Sequence, residues 1–162
     1  MNTGKIFEEN FKKSVPIDTY YLRLHDSSVG FDIENSTQRF ALQSPYDCIL
    51  YRACKMYCLE LKSIKEKSIS YDGASPKIKK HQIDELVKAS KYGCEAGFIL
   101  NFRGSGTTYY LSIEMFLNLV SVMDKKSINE NEVASCSMII PSRKLKVNYR
   151  YDLSVLVGGY KQ

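Results

Sequence analysis

Asp47, Glu60 and Lys62 are the residues of this 162-residue chain whose types and spacing can do chemistry. Side chains alternate along a strand, so Glu60 and Lys62 project from one face while Leu59 and Leu61 point the other way, into a core. Asp47 lies near the start of the preceding apolar run, and pairing of the two runs can bring its carboxylate beside Glu60. Two carboxylates held together with a lysine make a site for a hard cation with a positive group next to it. Mg2+ favours carboxylate oxygens and keeps several waters. One such water, acidified by the metal, can attack phosphorus in line, while the lysine orients it or stabilises charge developing on the phosphate. The pattern points to phosphodiester hydrolysis with Mg2+ or Mn2+. Taken alone, the triplet is also what an ordinary exposed pair on a sheet edge looks like.

The elements that must position these groups can be read from periodicity and punctuation. Thr3 caps a predicted helix over 4–14, whose Ile6, Phe7 and Phe11 form one apolar stripe closed by Pro16. The aromatic run at 19–24 (TYYLRL) predicts a strand. Residues 25–44 carry little periodicity and predict a loop or short projecting segment. The runs at 46–51 and 55–62 predict adjacent strands around Arg52-Ala53-Cys54. Ser75-Pro76 predicts the start of a helix ending near Tyr92, with Gly93 as its stop. Strands are expected at 96–102 and 107–113, then a helix capped by Ser112. Ser127-Ile128-Asn129-Glu130 has the form of a capping box, and a short last helix is expected near 152–157. The succession helix, strand, strand, strand, helix, strand defines an α/β protein with a mixed sheet flanked by helices.

Composition leaves this reading open and closes others. The length suits one domain, and the chain is read as a single domain over 1–162. Hydrophobic residues make up 44% and charged ones 25%, as in ordinary globular proteins. No apolar run is long enough to span a bilayer and the opening residues lack a secretory pattern, so a cytoplasmic protein with no membrane partner is expected. Five cysteines without a Cys-x-x-Cys pair, and only His25 and His81, argue against a disulfide framework or a zinc site. The net charge of +5 permits a polyanionic partner. The basic clusters offer Lys65, Lys67, Lys77, Lys79 and Lys80, with His81 beside them, as candidate DNA contacts; clusters of this kind also occur as plain solvated faces.

The neighbours of the triplet carry a resemblance. Gly4-Lys5-Ile6-Phe7-Glu8 on the first helix, Asp47, the Glu60-x-Lys62 strand and His81-Gln82-Ile83 on the following helix resemble, in order and in element, the RecU-type Holliday junction resolvases of the PD-(D/E)xK nuclease superfamily. Gly97 to Phe102 and Tyr109-Tyr110-Leu111 look like that family's next two strands, so the similarity spans roughly residues 3 to 120. The archaeal Hjc-type resolvases are similar in the helix Glu, the Asp and the Glu-x-Lys. Two features depart from the pattern: Tyr46 separates Pro45 from Asp47, and the segment before Asp47 is shorter than the RecU excursion.

The resemblance implies a restriction-endonuclease-like αβββαβ core. It implies a structure-selective endonuclease cutting four-way (Holliday) junctions in recombination, with Glu8, Asp47 and Glu60 as metal ligands. Lys62 and Gln82 complete the catalytic set. A homodimer is implied too, because a junction needs two symmetric nicks and the chain supplies one such constellation. The alternatives left beside this reading are a restriction-like or repair nuclease on duplex or flap DNA, and a non-catalytic DNA-binding module on the same fold.

Overall fold

The computed structural model describes residues 3–25 and 43–158. The expected projecting segment at 25–44 therefore lies, but for its ends, outside the described residues.

In chain order the elements are α1 (Thr3–Lys12), β1 (Tyr20–Arg23), β2 (Cys48–Arg52), β3 (Lys55–Ile64), β4 (Ser68–Ser70), α2 (Lys80–Lys91), β5 (Glu95–Phe102) and β6 (Thr107–Ser112). They continue with α3 (Ile113–Ser121), β7 (Ser127–Asn129), α4 (Glu130–Cys136), β8 (Met138–Ile140), β9 (Ser142–Lys144), β10 (Tyr149–Tyr151) and α5 (Ser154–Val157). The central sheet has the order β1-β2-β3-β5-β6-β8. Its β3–β5 pair is parallel, bridged by the α2 connection, and its other neighbouring pairs are antiparallel. Two short ladders, β9–β10 and β4–β7, flank it.

Period-two alternation in β3 divides the core into two layers. Tyr57, Leu59 and Leu61 join Phe7, Phe11, Leu50, Ile99, Tyr151 and Leu153 on the α1 face. Cys58 and Ile64 join Ile78, Leu86, Phe98, Leu100 and Phe116 on the face covered by α2 and α3. Glu60 and Lys62 share that second face, as the alternation predicts. The fold class read from the sequence, a mixed sheet between helices, is the fold observed.

At Gly97, opposite Ser112, β5 and β6 leave no room for a side chain. A Cβ there would lie 2.4 Å from the Leu111 carbonyl oxygen and 2.9 Å from the Ser112 Cα. Both are backbone atoms of a paired strand, so neither yields cheaply. Gly97→Ala is expected to lower unfolding free energy by about 1–3 kcal/mol, the cost of overpacking; an unchanged denaturation midpoint would contradict this.

Two local expectations are corrected. The helix expected from Ser75-Pro76 begins at Lys80. Before it, the Lys77 N–H donates to Ser70 Oγ at 3.0 Å and the Ile78 N–H to the Ser70 carbonyl at 2.9 Å. These bonds tie the segment to β4 and seat Ile78 in the core, so its backbone is spent before a helix can start. The capping box lies two residues later than Ser127. Asn129 Oδ1 accepts the Glu132 N–H at 3.0 Å and Glu132 Oε2 accepts the Asn129 N–H at 2.8 Å. Ser127 and Ile128 are taken up instead by pairing with Ser70 and Ile69.

Candidate active site

The difference in length between β2 and β3 builds the site. Pairing ends at Cys48 opposite Leu59, and β3 runs on. The Leu61 N–H thus has no strand partner on that side, and Asp47 Oδ2 accepts it at 2.8 Å. The Asp47 backbone is fixed as well: its N–H donates to the Leu59 carbonyl at 3.1 Å and its carbonyl accepts from the Leu24 N–H at 2.9 Å. Asp47 therefore stands beside Glu60 with one oxygen committed to the sheet.

Glu60 is only 2% exposed. Its Oε1 accepts from Lys62 Nζ at 2.8 Å and from Gln82 Nε2 at 2.5 Å. Gln82 is itself oriented, since its Oε1 accepts the Lys79 N–H at 3.0 Å at the start of α2. That bond consumes the amide oxygen and leaves the NH2 to face Glu60. Lys62 and Gln82 thus hold one carboxylate oxygen from two sides.

Burial, and then the nearby Asp47 charge, push the Glu60 carboxyl up to about 7 against the counter-pull of Lys62. Asp47 is also raised, chiefly by burial, with Glu8 adding repulsion and the Leu61 N–H opposing it. Two carboxylates that repel each other, one buried and one half-buried, with one lysine beside them, form a place where a further positive charge is favourable. Their oxygens suit a hard cation. Among the described residues, no three His, Cys, Asp or Glu side chains are gathered as a ready-made metal cage. Two carboxylates are enough for a cation that completes its shell with water and phosphate oxygens.

Glu8 reaches this cluster from α1, where its charge acts on Asp47, but its carboxylate is ion-paired with Arg23. The structure thus brings Asp47, Glu60, Lys62 and Gln82 together and holds Glu8 at their edge on an arginine. Arg23 was not among the candidates read from the sequence. Its signal is a cation in the aromatic strand β1, directly opposite Cys48 and so next to Asp47.

The candidate DNA contacts lie on two rims. Lys65 and Lys67 are exposed and line a cleft of about 570 Å³ with Ser105, Asn129 and Glu130. Lys77 is paired with Glu66, and Lys80 reaches Asp84 at 3.7 Å. Lys79 is exposed where α2 starts, and His81 is half-buried in a smaller cleft with Pro45 and Glu85. Among the described residues no helix is long and apolar enough to cross a membrane.

A mixed sheet that places an Asp and a Glu-x-Lys beside a buttressing helix is the restriction-endonuclease-like arrangement that the resemblance implies. The structure is similar to the Holliday junction resolvase Hjc of Archaeoglobus fulgidus, with a TM-score of 0.53 over 84% of this chain and 95% of that one. Their sequences are 16% identical, so the likeness concerns the fold. The chain belongs to the RecU family, Recombination protein U, which it matches over residues 11–154. It is also 32% identical over 172 aligned positions to the SPbeta prophage-derived uncharacterized protein YotM of Bacillus subtilis strain 168, an alignment that covers 97% of this chain and 86% of that one.

Proposed function

We propose that the chain is a metal-dependent endodeoxyribonuclease that resolves four-way DNA junctions in recombination, acting as a single domain. The observation that carries the reading is buried Glu60 beside half-buried Asp47, with Lys62 and Gln82 on the same oxygen of Glu60, on a RecU-family fold.

Asp47 and Glu60 would hold Mg2+ or Mn2+, and Glu8 would join them on leaving Arg23. When bound, the metal supplies charge neutralisation and a more acidic water at the scissile phosphate. Asp47 keeps one oxygen on the Leu61 N–H and presents the other. Lys62 pulls Glu60 towards its ionised form against burial and Asp47, and Gln82 orients it. Lys62, bonded to Glu60 and partly exposed, places its ammonium where charge develops on the phosphate as the bond to the leaving oxygen breaks. None of these groups reads bases, which suits recognition of branched shape and backbone.

Each chain carries one such constellation, whereas resolution needs two nicks related by the junction's two-fold axis; two-fold dimers are the commonest soluble oligomers. An apolar row supports a homodimer. Tyr20 (59% exposed), Tyr51 and Met56 are direct neighbours across β1, β2 and β3, and exposed Leu22 lies on the same face. A second copy is the occupant the stoichiometry asks for. Light scattering at micromolar concentration is expected to give twice the chain mass, and a strict monomer would remove the symmetric scheme.

The substrate reading is tested by incubating the protein with end-labelled four-way junction, flap and linear duplex, with Mg2+ and with chelator. Cutting confined to the junction and to Mg2+ is expected. Equal or faster cutting of linear duplex would replace this reading by a restriction-like or repair nuclease.

A further inference from the structure

The β9–β10 hairpin carries Arg143, Lys144, Lys146 and Arg150 in a stretch, 133–151, that contains no acidic residue. Its register sets Arg143 directly opposite Arg150. Like charges so placed destabilise an antiparallel ladder, and the contact of half-buried Arg150, whose Nη1 donates to the Tyr149 carbonyl at 3.2 Å, brings no negative charge to the pair. Four exposed lysines elsewhere are matched, Lys13 with Glu9, Lys55 with Glu95, Lys77 with Glu66 and Lys125 with Glu132, whereas exposed Lys65, Lys67 and Arg103 have no carboxylate partner among the described residues. Among the described residues no carboxylate pairs with the four hairpin cations. The turn between the strands exposes apolar side chains as well, Val147 at 83% and Leu145 at 37%.

The hairpin is anchored at its base. The Tyr151 N–H donates to Ser14 Oγ at 3.0 Å, the Tyr151 ring meets Phe7 edge-on at 5.5 Å, and the Asp152 N–H donates to the Pro141 carbonyl at 2.8 Å. It also adjoins the other basic rim. Tyr149 and Arg103 line one small cleft with Ser63 and Asn101. The Arg103 N–H donates to the Ile64 carbonyl at 2.8 Å, placing it next to Lys65. Cations therefore run from Lys65 and Lys67 past Arg103 to the hairpin, where Lys144 is the partner of Tyr149 on the same face of the ladder.

We propose that the β9–β10 hairpin is an arm that grips a duplex limb of the DNA, its four cations on backbone phosphates and its Leu145–Val147 tip against the groove. The proposal rests on the nuclease reading above and adds a second contact surface, outside the cleft and helix lysines. A two-stranded ribbon of this width fits a major groove, and phosphate contacts fix position without reading sequence.

The test compares wild type with a variant carrying Arg143→Gln, Lys144→Gln, Lys146→Gln and Arg150→Gln, by fluorescence anisotropy on four-way junction and linear duplex in chelator across a salt series. Each phosphate contact contributes about 0.9 to the slope of log affinity against log salt, so loss of four should lower the slope by about 3 to 4 and weaken binding at least roughly tenfold. The variant is expected to melt no lower than wild type, because the Arg143–Arg150 repulsion is gone; a purely structural hairpin would show the reverse. Arg143→Lys with Arg150→Lys should keep the slope. If the fourfold variant fails to fold, Lys144→Gln with Lys146→Gln, both at exposed positions, should lower the slope by about half as much. A folded variant with wild-type slope and affinity would overturn the arm. Wild type that binds duplex and junction alike, with the slope change intact, would keep the arm and remove the junction reading instead.

Discussion

Asp47→Asn and Glu60→Gln are each expected to slow single-turnover cleavage of a four-way junction by roughly a thousandfold or more. Metal-borne charge stabilisation is worth several kcal/mol, and about 1.4 kcal/mol is a factor of ten in rate. Junction affinity in chelator should stay close to wild type, because neither carboxylate contacts phosphate without a metal. Folding should survive too. With its carboxyl raised to about 7, ionised Glu60 weighs against the folded state. For an acid whose folded pKa lies above its unfolded value, stability is greatest below the unfolded pKa and is lost as pH rises through the folded one. Wild type without metal should therefore melt lower at pH 8 than at pH 5 through this group, and Glu60→Gln should lack that part of the dependence. Mg2+ should raise the melting temperature of wild type but not of Glu60→Gln, since a ligand stabilises only the state that binds it. Undiminished cutting by either variant would remove the site.

Lys62→Ala is expected to slow cleavage by about a hundred- to a thousandfold, the usual cost of losing one preorganised charge at a developing oxyanion. Unlike the carboxylate variants, it should keep metal-induced stabilisation and strengthen it slightly, since the internal counter-charge on Glu60 is gone. The split between metal binding and rate separates the roles. A Lys62→Ala protein with wild-type rates would make the lysine only a counter-ion for Glu60. Gln82→Ala removes the other bond to the same oxygen but leaves the charges in place, so its effect should be smaller, about ten- to a hundredfold, as for residues that orient a metal ligand.

The site was legible where local period decided it. Glu60 and Lys62 two apart in an apolar run had to share a face, and β3 shows them doing so opposite Leu59 and Leu61. The proximity of Asp47 followed from strand adjacency, but the bond that fixes it did not, because that bond depends on β3 outrunning β2. Arg23 was missed for a similar reason: its pairing with Glu8 joins a strand to a helix across a register that no spacing encodes. The late start of α2 and the displaced cap of α4 share one cause. Three-residue β4 and β7 are too short to show a period, yet their ladder claims the backbone of Ser70 and Ser127 and moves both helix starts. The role proposed for the β9–β10 hairpin is not readable from the sequence, because its cations look like any solvated cluster until the register sets Arg143 against Arg150.

The central claim is that one Asp47–Glu60–Lys62 site per chain, used in pairs, cuts a four-way junction symmetrically. The direct measurement is product mapping on an immobile junction with each strand labelled in turn, in Mg2+ and under single-turnover conditions. The account predicts paired nicks at equivalent positions in two opposing strands, yielding ligatable linear duplexes, and no product with Glu60→Gln. Nicks in a single strand, or at unrelated positions on adjacent strands, would contradict it.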